Sequence, residues 1–185
     1  MKILLNSFYG AQGLSSFRFF DLDNAECTTT TGQEVIKASA EYGSEIYNKD
    51  LGTKDKNWCL YSDTDSLYFS CLPLVKKRFP NINTNNDEEM SRVIINIADE
   101  IQKYINKCYG HYSKHYHNMD THFFEIKQEV IAKSCLFRAK RRYAQWIINK
   151  EGVKTDKIDI KGLEIKKSDF PKAFRELCYE ILVSI

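Results

Sequence analysis

The chain has 185 residues, 43% hydrophobic and 28% charged, with a formal net charge of +2. This is a composition of folded chains, long enough for one sizeable core, and it excludes a disordered polypeptide. The sequence has no apolar run of about 18 residues and no signal-peptide pattern after Met1-Lys2-Ile3, so neither a spanning helix nor a membrane partner is expected and a cytoplasmic location is.

Lys2 to about Tyr9 reads as the end of a helix, closed by Gly10. Gly13 and Ser15-Ser16 mark a loop, and Phe17–Leu22 reads as an extended aromatic stretch. Thr31 with Glu34 fits a capping box that opens a helix to about Asn48. Trp58–Tyr61 and Leu67–Phe69 read as two strands around a polar turn. Lys76–Asn86, with Pro80, reads as irregular. A helix from about Asp87 to Cys108 carries Val93, Ile94, Ile97, Ile101, Tyr104, Ile105 and Cys108 on one apolar face. Phe123–Ala132, Leu136–Asn149 and Ile158–Ile165 read as strands, and Asp169 with Pro171 starts a last amphipathic helix. The pattern is α+β, an antiparallel sheet with helices packed on one face. Six cysteines without CxxC spacing read as reduced, buried thiols.

Three stretches carry chemistry. The first is Tyr61-Ser-Asp-Thr-Asp-Ser66, where Asp63 and Asp65 stand two apart. In extended backbone their carboxylates project to one side. Such a pair repels itself unless a cation lies between, and hard divalent ions on oxygen ligands meet that need. An ordinary Asp- and Ser-rich turn is the plainer alternative. The second stretch is the opening helix, where Lys2, Asn6 and Tyr9 fall at i, i+4 and i+7. An ammonium, an amide and a phenol ring on one face can grip a phosphate and stack on a base; a solvated polar face is the alternative. The third is Arg138-Ala-Lys140-Arg141-Arg142-Tyr143-Ala144, read as lying inside a strand. Alternation there sends Lys140 and Arg142 to one side, Arg141 and Tyr143 to the other, suited to phosphate and sugar contacts. A charge-protected edge strand is the alternative. Residues 127–175 hold 14 Lys or Arg against 6 acids, whereas residues 1–126 hold 13 against 17, so the basic surface is concentrated in the last third. Cys108, His111, His115, His117 and His122 are too loosely spaced for zinc and read as polar filler.

Together these stretches resemble the family B DNA polymerases. Lys2-Ile-Leu-Leu-Asn-Ser-Phe-Tyr-Gly10 is similar to their motif B. Residues 61–66 are similar to motif C, with Ser62 where the family usually has Gly. Ala139–Ala144 is similar to their KKRY-type motif, and Ile158–Phe174 to the strand and helix leading into the thumb. Order and spacing agree over essentially the whole chain, and the replicative enzymes of tailed phages are the nearest in character. The resemblance implies residues 1–12 as the end of a fingers helix, 13–165 as palm and 166–185 as the start of the thumb. It implies template-directed nucleotidyl transfer with two Mg²⁺ ions, Asp65 bridging them and Asp63 beside it. Lys2 would contact the phosphates of the incoming dNTP, Asn6 would support that pocket, and Tyr9 would lie at the minor-groove side of the nascent pair. Lys140, Arg141, Arg142 and Tyr143 would hold primer-template DNA, and Glu129 looks like the family's additional palm carboxylate.

One part of the pattern is missing. Nothing in the sequence matches the upstream motif A, whose aspartate shares the two ions. The expectation is therefore that the isolated chain does not polymerise and is completed in trans by an N-terminal polymerase half or is truncated. A non-catalytic primer-template-binding palm is the alternative. A reverse-transcriptase-like palm, which also carries an acid pair on a hairpin, fits the motif B and KRRY stretches less well.

Overall fold

A computed structural model describes the backbone of residues 2–166 and 171–184 and the side chains of residues 7–166 and 171–183. The chain is α+β with antiparallel sheets. Helix α1 (Lys2–Gln12) leads through turns into α2 (Leu22–Leu51), followed by the hairpin β1 (Cys59–Asp63) and β2 (Ser66–Phe69). Helices α3 (Leu72–Arg78) and α4 (Asp87–His117) come next, then a meander of β3 (Val130–Ala139), β4 (Arg142–Lys150) and β5 (Val153–Lys161). A 3-10 turn at Glu164–Lys166 precedes α5 (Lys172–Ser184). The expected sheet is divided: β1 pairs with β2, and the three later strands form a separate ladder.

The main core lies between α2, α3 and α4 and underlies the hairpin. Val35, Ile46 and Tyr47 of α2 meet Leu74 and Val75 of α3 and the column Ile97, Ile101, Ile105, Tyr109 and Tyr112 of α4. The α4 residues recur at helical spacing, as the apolar pattern implied. Tyr104, read as part of that face, sits at its rim and donates to Glu45 Oε2 at 2.5 Å. Arg78 ties the three helices from outside, its guanidinium reaching Asp50 on α2 and Glu100 on α4, each at 2.5 Å. A smaller core joins Ala144 and Ile160 of the sheet to Ile165, with Cys178 and Leu182 of α5 packed on it.

Several boundaries differ from the sequence reading, each for a local reason. Residues 17–20 form turns rather than an extended stretch, and α2 starts at Leu22, not near Thr31. Its N-cap is Asp21, whose carboxylate accepts the Asn24 N–H at 3.0 Å. Thr31 and Glu34 lie inside the helix; just before them, Thr28 and Thr29 turn their hydroxyls back onto the Asn24 and Glu26 carbonyls at 2.9 and 2.8 Å. Helix α4 runs past Cys108 to His117, capped by Asn86 in front and by left-handed Asn118 behind. Lys76–Arg78 end α3 instead of being irregular. Residues 123–129 alternate in exposure as a strand would, yet only Val130 onward is strand. Their backbone is held by α4 instead. Asn106 donates to the Ile126 carbonyl and accepts its N–H, both at 2.9 Å, and Gln102 Oε1 accepts the Gln128 N–H at 2.6 Å. With those groups satisfied, no neighbouring strand is required. The cysteines are all free but less buried than expected: Cys27 and Cys135 are exposed and the other four half-buried. Asp169, read as a helix start, lies outside the described residues.

Candidate active site and nucleic-acid interface

The hairpin is seated by rings. Tyr47, wholly buried, stacks on Trp58 at 5.5 Å and on Phe69 at 5.7 Å between centroids. Position 43 must be glycine for that seat, since a Cβ there would lie 2.6 Å from the Phe69 ring. The register Tyr61↔Tyr68, Ser62↔Leu67, Asp63↔Ser66 leaves Thr64 and Asp65 as a two-residue tip.

The two acids are therefore not in one extended segment. Asp63 ends β1 and is partly buried, whereas Asp65 sits exposed in the turn. Thr64 takes a left-handed φ of 46°, and the Asp65 N–H donates to the Asp63 carbonyl at 2.5 Å. This is the geometry of a γ-turn, a sparsely populated backbone for a β-branched residue. Asp63 Oδ1 accepts the Thr64 hydroxyl at 3.2 Å, and Ser66 Oγ donates to the Asp63 carbonyl at 3.1 Å. Ser62 lies in regular strand with no left-handed φ, so nothing in the backbone there requires glycine.

The basic stretch meets this tip. The sequence placed Ala139–Ala144 inside a strand, but the register Ala139↔Arg142 makes Lys140 and Arg141 a hairpin turn, with Arg141 at φ 61°. Side-chain alternation across Lys140–Tyr143 consequently does not hold. Instead the Arg141 N–H donates to Tyr61 Oη at 2.7 Å, and its Nε lies 3.6 Å from Asp63 Oδ1. Below the turn, Tyr61, Tyr68, Phe137 and Tyr143 form an aromatic box. Tyr61 stacks on Phe137 at 4.7 Å, and the Tyr68 hydroxyl donates to Tyr143 Oη at 3.3 Å. Burial, and then the Tyr143 bond, push the Tyr68 phenol well above its ordinary range. Sequence reasoning missed this box. Its signal was aromatic pairs facing across β1–β2 and β3–β4, Tyr61 with Tyr68 and Phe137 with Tyr143, legible once the registers are known.

The remaining expected residues are not gathered here. Glu129 is exposed and precedes the first residue of β3, while the Lys140-Arg141 turn follows the last. At strand rise the ten residues of β3 separate them by about 30 Å, so the structure does not bring Glu129 to the acid pair. Tyr9 is exposed on α1, which leans on α2. The side chains of Lys2 and Asn6 lie outside the described residues. Among the described residues no group of three or more His, Cys, Asp or Glu side chains is placed to hold a metal, the Cys108–His122 stretch included. Among the described residues β1 pairs only with β2, and its other edge borders a cleft between α2 and β1 of about 440 Å³. No described helix is long and apolar enough to cross a membrane.

Comparison with known proteins gives one consistent result. The profile of DNA polymerase family B matches residues 1–185. The DNA-directed DNA polymerase of Escherichia phage RB69 is 29% identical over 191 residues, covering 98% of this chain and 21% of its own length. That of Enterobacteria phage T4 is 28% identical over 193 residues, covering 97% and 21%. The DNA polymerase of Pyrococcus glycovorans is 30% identical over 186 residues, covering 100% and 19%. The chain spans about a fifth of the length of these curated relatives.

Proposed function

The chain belongs to DNA polymerase family B, and we propose that it forms the palm of such an enzyme, binding primer-template DNA and dNTP for nucleotidyl transfer. The observation that carries this reading is the meeting of Asp63 with Arg141: an acid-bearing hairpin lies against a basic turn. In the same reading residues 1–12 end the fingers, 13–165 are palm and 166–185 begin the thumb, and the protein works in the cytoplasm, the host's if phage-encoded.

Asp63 and Asp65 offer hard oxygen donors, one partly buried and one exposed. That chemistry fits Mg²⁺, which takes one or two protein carboxylates and fills its other positions with water and substrate phosphate. When bound, a pair of such ions would stabilise the attacking and leaving oxygens of an in-line displacement. Asp65, on the tip, is the residue that would touch both ions, and Asp63 shapes the site between them and the DNA. Lys140, Arg141 and Arg142 supply cationic contacts to the primer-template backbone, and Tyr143 packs beneath them. Lys2 would neutralise the triphosphate, Asn6 would support it, and Tyr9 would lie along the new base pair. Glu129 is retained only as an acidic residue outside the reaction centre.

Two carboxylates on one hairpin leave the rest of two octahedral shells to water, substrate phosphate and a further protein ligand. In this reading that ligand is the motif A aspartate, which nothing in these 185 residues matches, so the chain alone is expected not to polymerise. The open edge of β1, beside its cleft, offers a place for a further strand that brings another carboxylate. The test is primer extension with Mg²⁺ by the chain alone and together with a polypeptide carrying a motif A segment. Activity only in the mixture, lost with Asp65→Ala, is expected; robust extension by the chain alone would overturn it. DNA binding without extension in any mixture would favour the non-catalytic reading.

A further inference from the structure

In the proposed reading the Lys140-Arg141 turn carries the cationic grip, and both of its residues are exposed. Its position is set from two sides. Above, Tyr61 Oη accepts the Arg141 N–H at 2.7 Å. Below lies Gly162, the residue following β5, at φ 62°. A Cβ built on Gly162 would fall 2.0 Å from the Arg141 carbonyl oxygen, 3.1 Å from its carbonyl carbon and 3.3 Å from Arg142 Cγ. The obstruction is backbone, which cannot rotate aside as a side chain can. The other left-handed glycines, Gly52 and Gly152, have nothing within 4 Å of the same point. Their φ alone calls for glycine; at Gly162 a close approach calls for it as well.

We propose that Gly162 is a positioning residue for DNA binding: its bare Cα lets the end of β5 sit under the Arg141 carbonyl and fixes where Lys140 and Arg141 present their charges. This rests on the DNA-binding reading above. An alanine at position 162 forces the Arg141 turn and the end of β5 apart while leaving every charge in the chain in place. A loss of binding at constant charge therefore reports position.

The experiment compares Gly162→Ala with Gly152→Ala, which also places alanine at a positive φ, 84°, but without the clash. Fluorescence anisotropy with a labelled primer-template is read across a salt series, and hydrogen exchange is read at the Arg141 amide. Wild type should bind with a logarithmic salt slope of about −0.9 per phosphate neutralised. Gly162→Ala should bind at least about fivefold more weakly, with a slope flatter by about 1, and should exchange the Arg141 amide faster; Gly152→Ala should match wild type in all three. Equal behaviour of the two variants would overturn the proposal. Absence of salt-dependent binding by wild type would defeat the DNA reading instead, and the amide exchange would still show whether Gly162 fixes the turn. Should Gly162→Ala fail to fold, a single glycine inserted between Lys140 and Arg141 frees the tip from both supports. It should flatten the slope likewise, and a wild-type slope from that insertion sinks the proposal.

Discussion

Two hairpins meet at the site, and they are positioned in opposite ways. Both have two-residue tips with a non-glycine residue in left-handed conformation, Thr64 at 46° and Arg141 at 61°. The β1–β2 hairpin is fixed by burial: Phe69 lies over Gly43 and on Tyr47, within the core that α2, α3 and α4 share. The tip of the β3–β4 hairpin is exposed and is located by polar and backbone contacts to its neighbours, Tyr61, Asp63 and Gly162. Asp63 is thus placed by the fold as a whole, and the basic turn is placed by its contacts with the β1–β2 hairpin and with the end of β5. With Arg141 exposed and its Nε 3.6 Å from Asp63 Oδ1, the pair contributes only up to about 1 kcal/mol, so in the proposed reading the Arg141 guanidinium would exchange Asp63 for a phosphate at little energetic cost while the turn stays in place.

The largest effect that separates the two regions should come from Tyr47→Ala. It removes a wholly buried ring that stacks on both Trp58 and Phe69, and about 3–5 kcal/mol of stability should go with it, measured by urea unfolding. A loss below about 1 kcal/mol would mean that the hairpin does not depend on that seat. Ile160→Ala, in the smaller core under the sheet, should be milder, about 2–4 kcal/mol. If it exceeds Tyr47→Ala in the same titration, the contrast between the regions is reversed.

The smallest effect is a pH dependence. Burial, with Cys71 beside the ring, pushes the Tyr47 phenol far above its ordinary value of 10, and Tyr68 is raised by burial and by Tyr143. Above pH 10 the unfolded chain loses these protons while the folded chain keeps them, so the unfolded state binds fewer protons and stability falls as pH rises. The contribution is complete below pH 10 and declines from there upward. Urea midpoints at pH 9 and pH 11 should show this decline, smaller in Tyr47→Phe; an identical decline in that variant would remove Tyr47 from the account.

The acid hairpin could be read from the sequence because everything that marks it is local: apolar and aromatic residues on both sides of a five-residue polar stretch, Ser62–Ser66. The apolar column of α4 was legible for the same reason. The basic stretch was misread as strand because its turn contains no Gly, Asn or Pro; Arg141 takes the left-handed position that such residues usually fill. Its geometry depends on Tyr61 and Gly162, far away in the chain. Residues 123–129 have strand periodicity, but Asn106 and Gln102 satisfy their backbone, and periodicity does not say which partner a backbone group will find. At the start of α2, Thr31 and Glu34 have the spacing of a capping box, but Asp21 already caps the helix ten residues earlier, and the hydroxyls of Thr28 and Thr29 bond to carbonyls of the turn before them.

The γ-turn at Thr64 makes the two acids mechanically unequal. Asp63 belongs to the β1–β2 ladder, and a one-residue slip of that ladder would carry Tyr61 and Tyr68 to the opposite face and empty the aromatic box. Asp63 is thus indexed to the register of the whole hairpin. Asp65 lies beyond the last rung and is held only by its turn, so it can be re-aimed by a change in two torsions with every strand pair intact. In the proposed site one carboxylate would serve as a fixed reference and the other as an adjustable jaw.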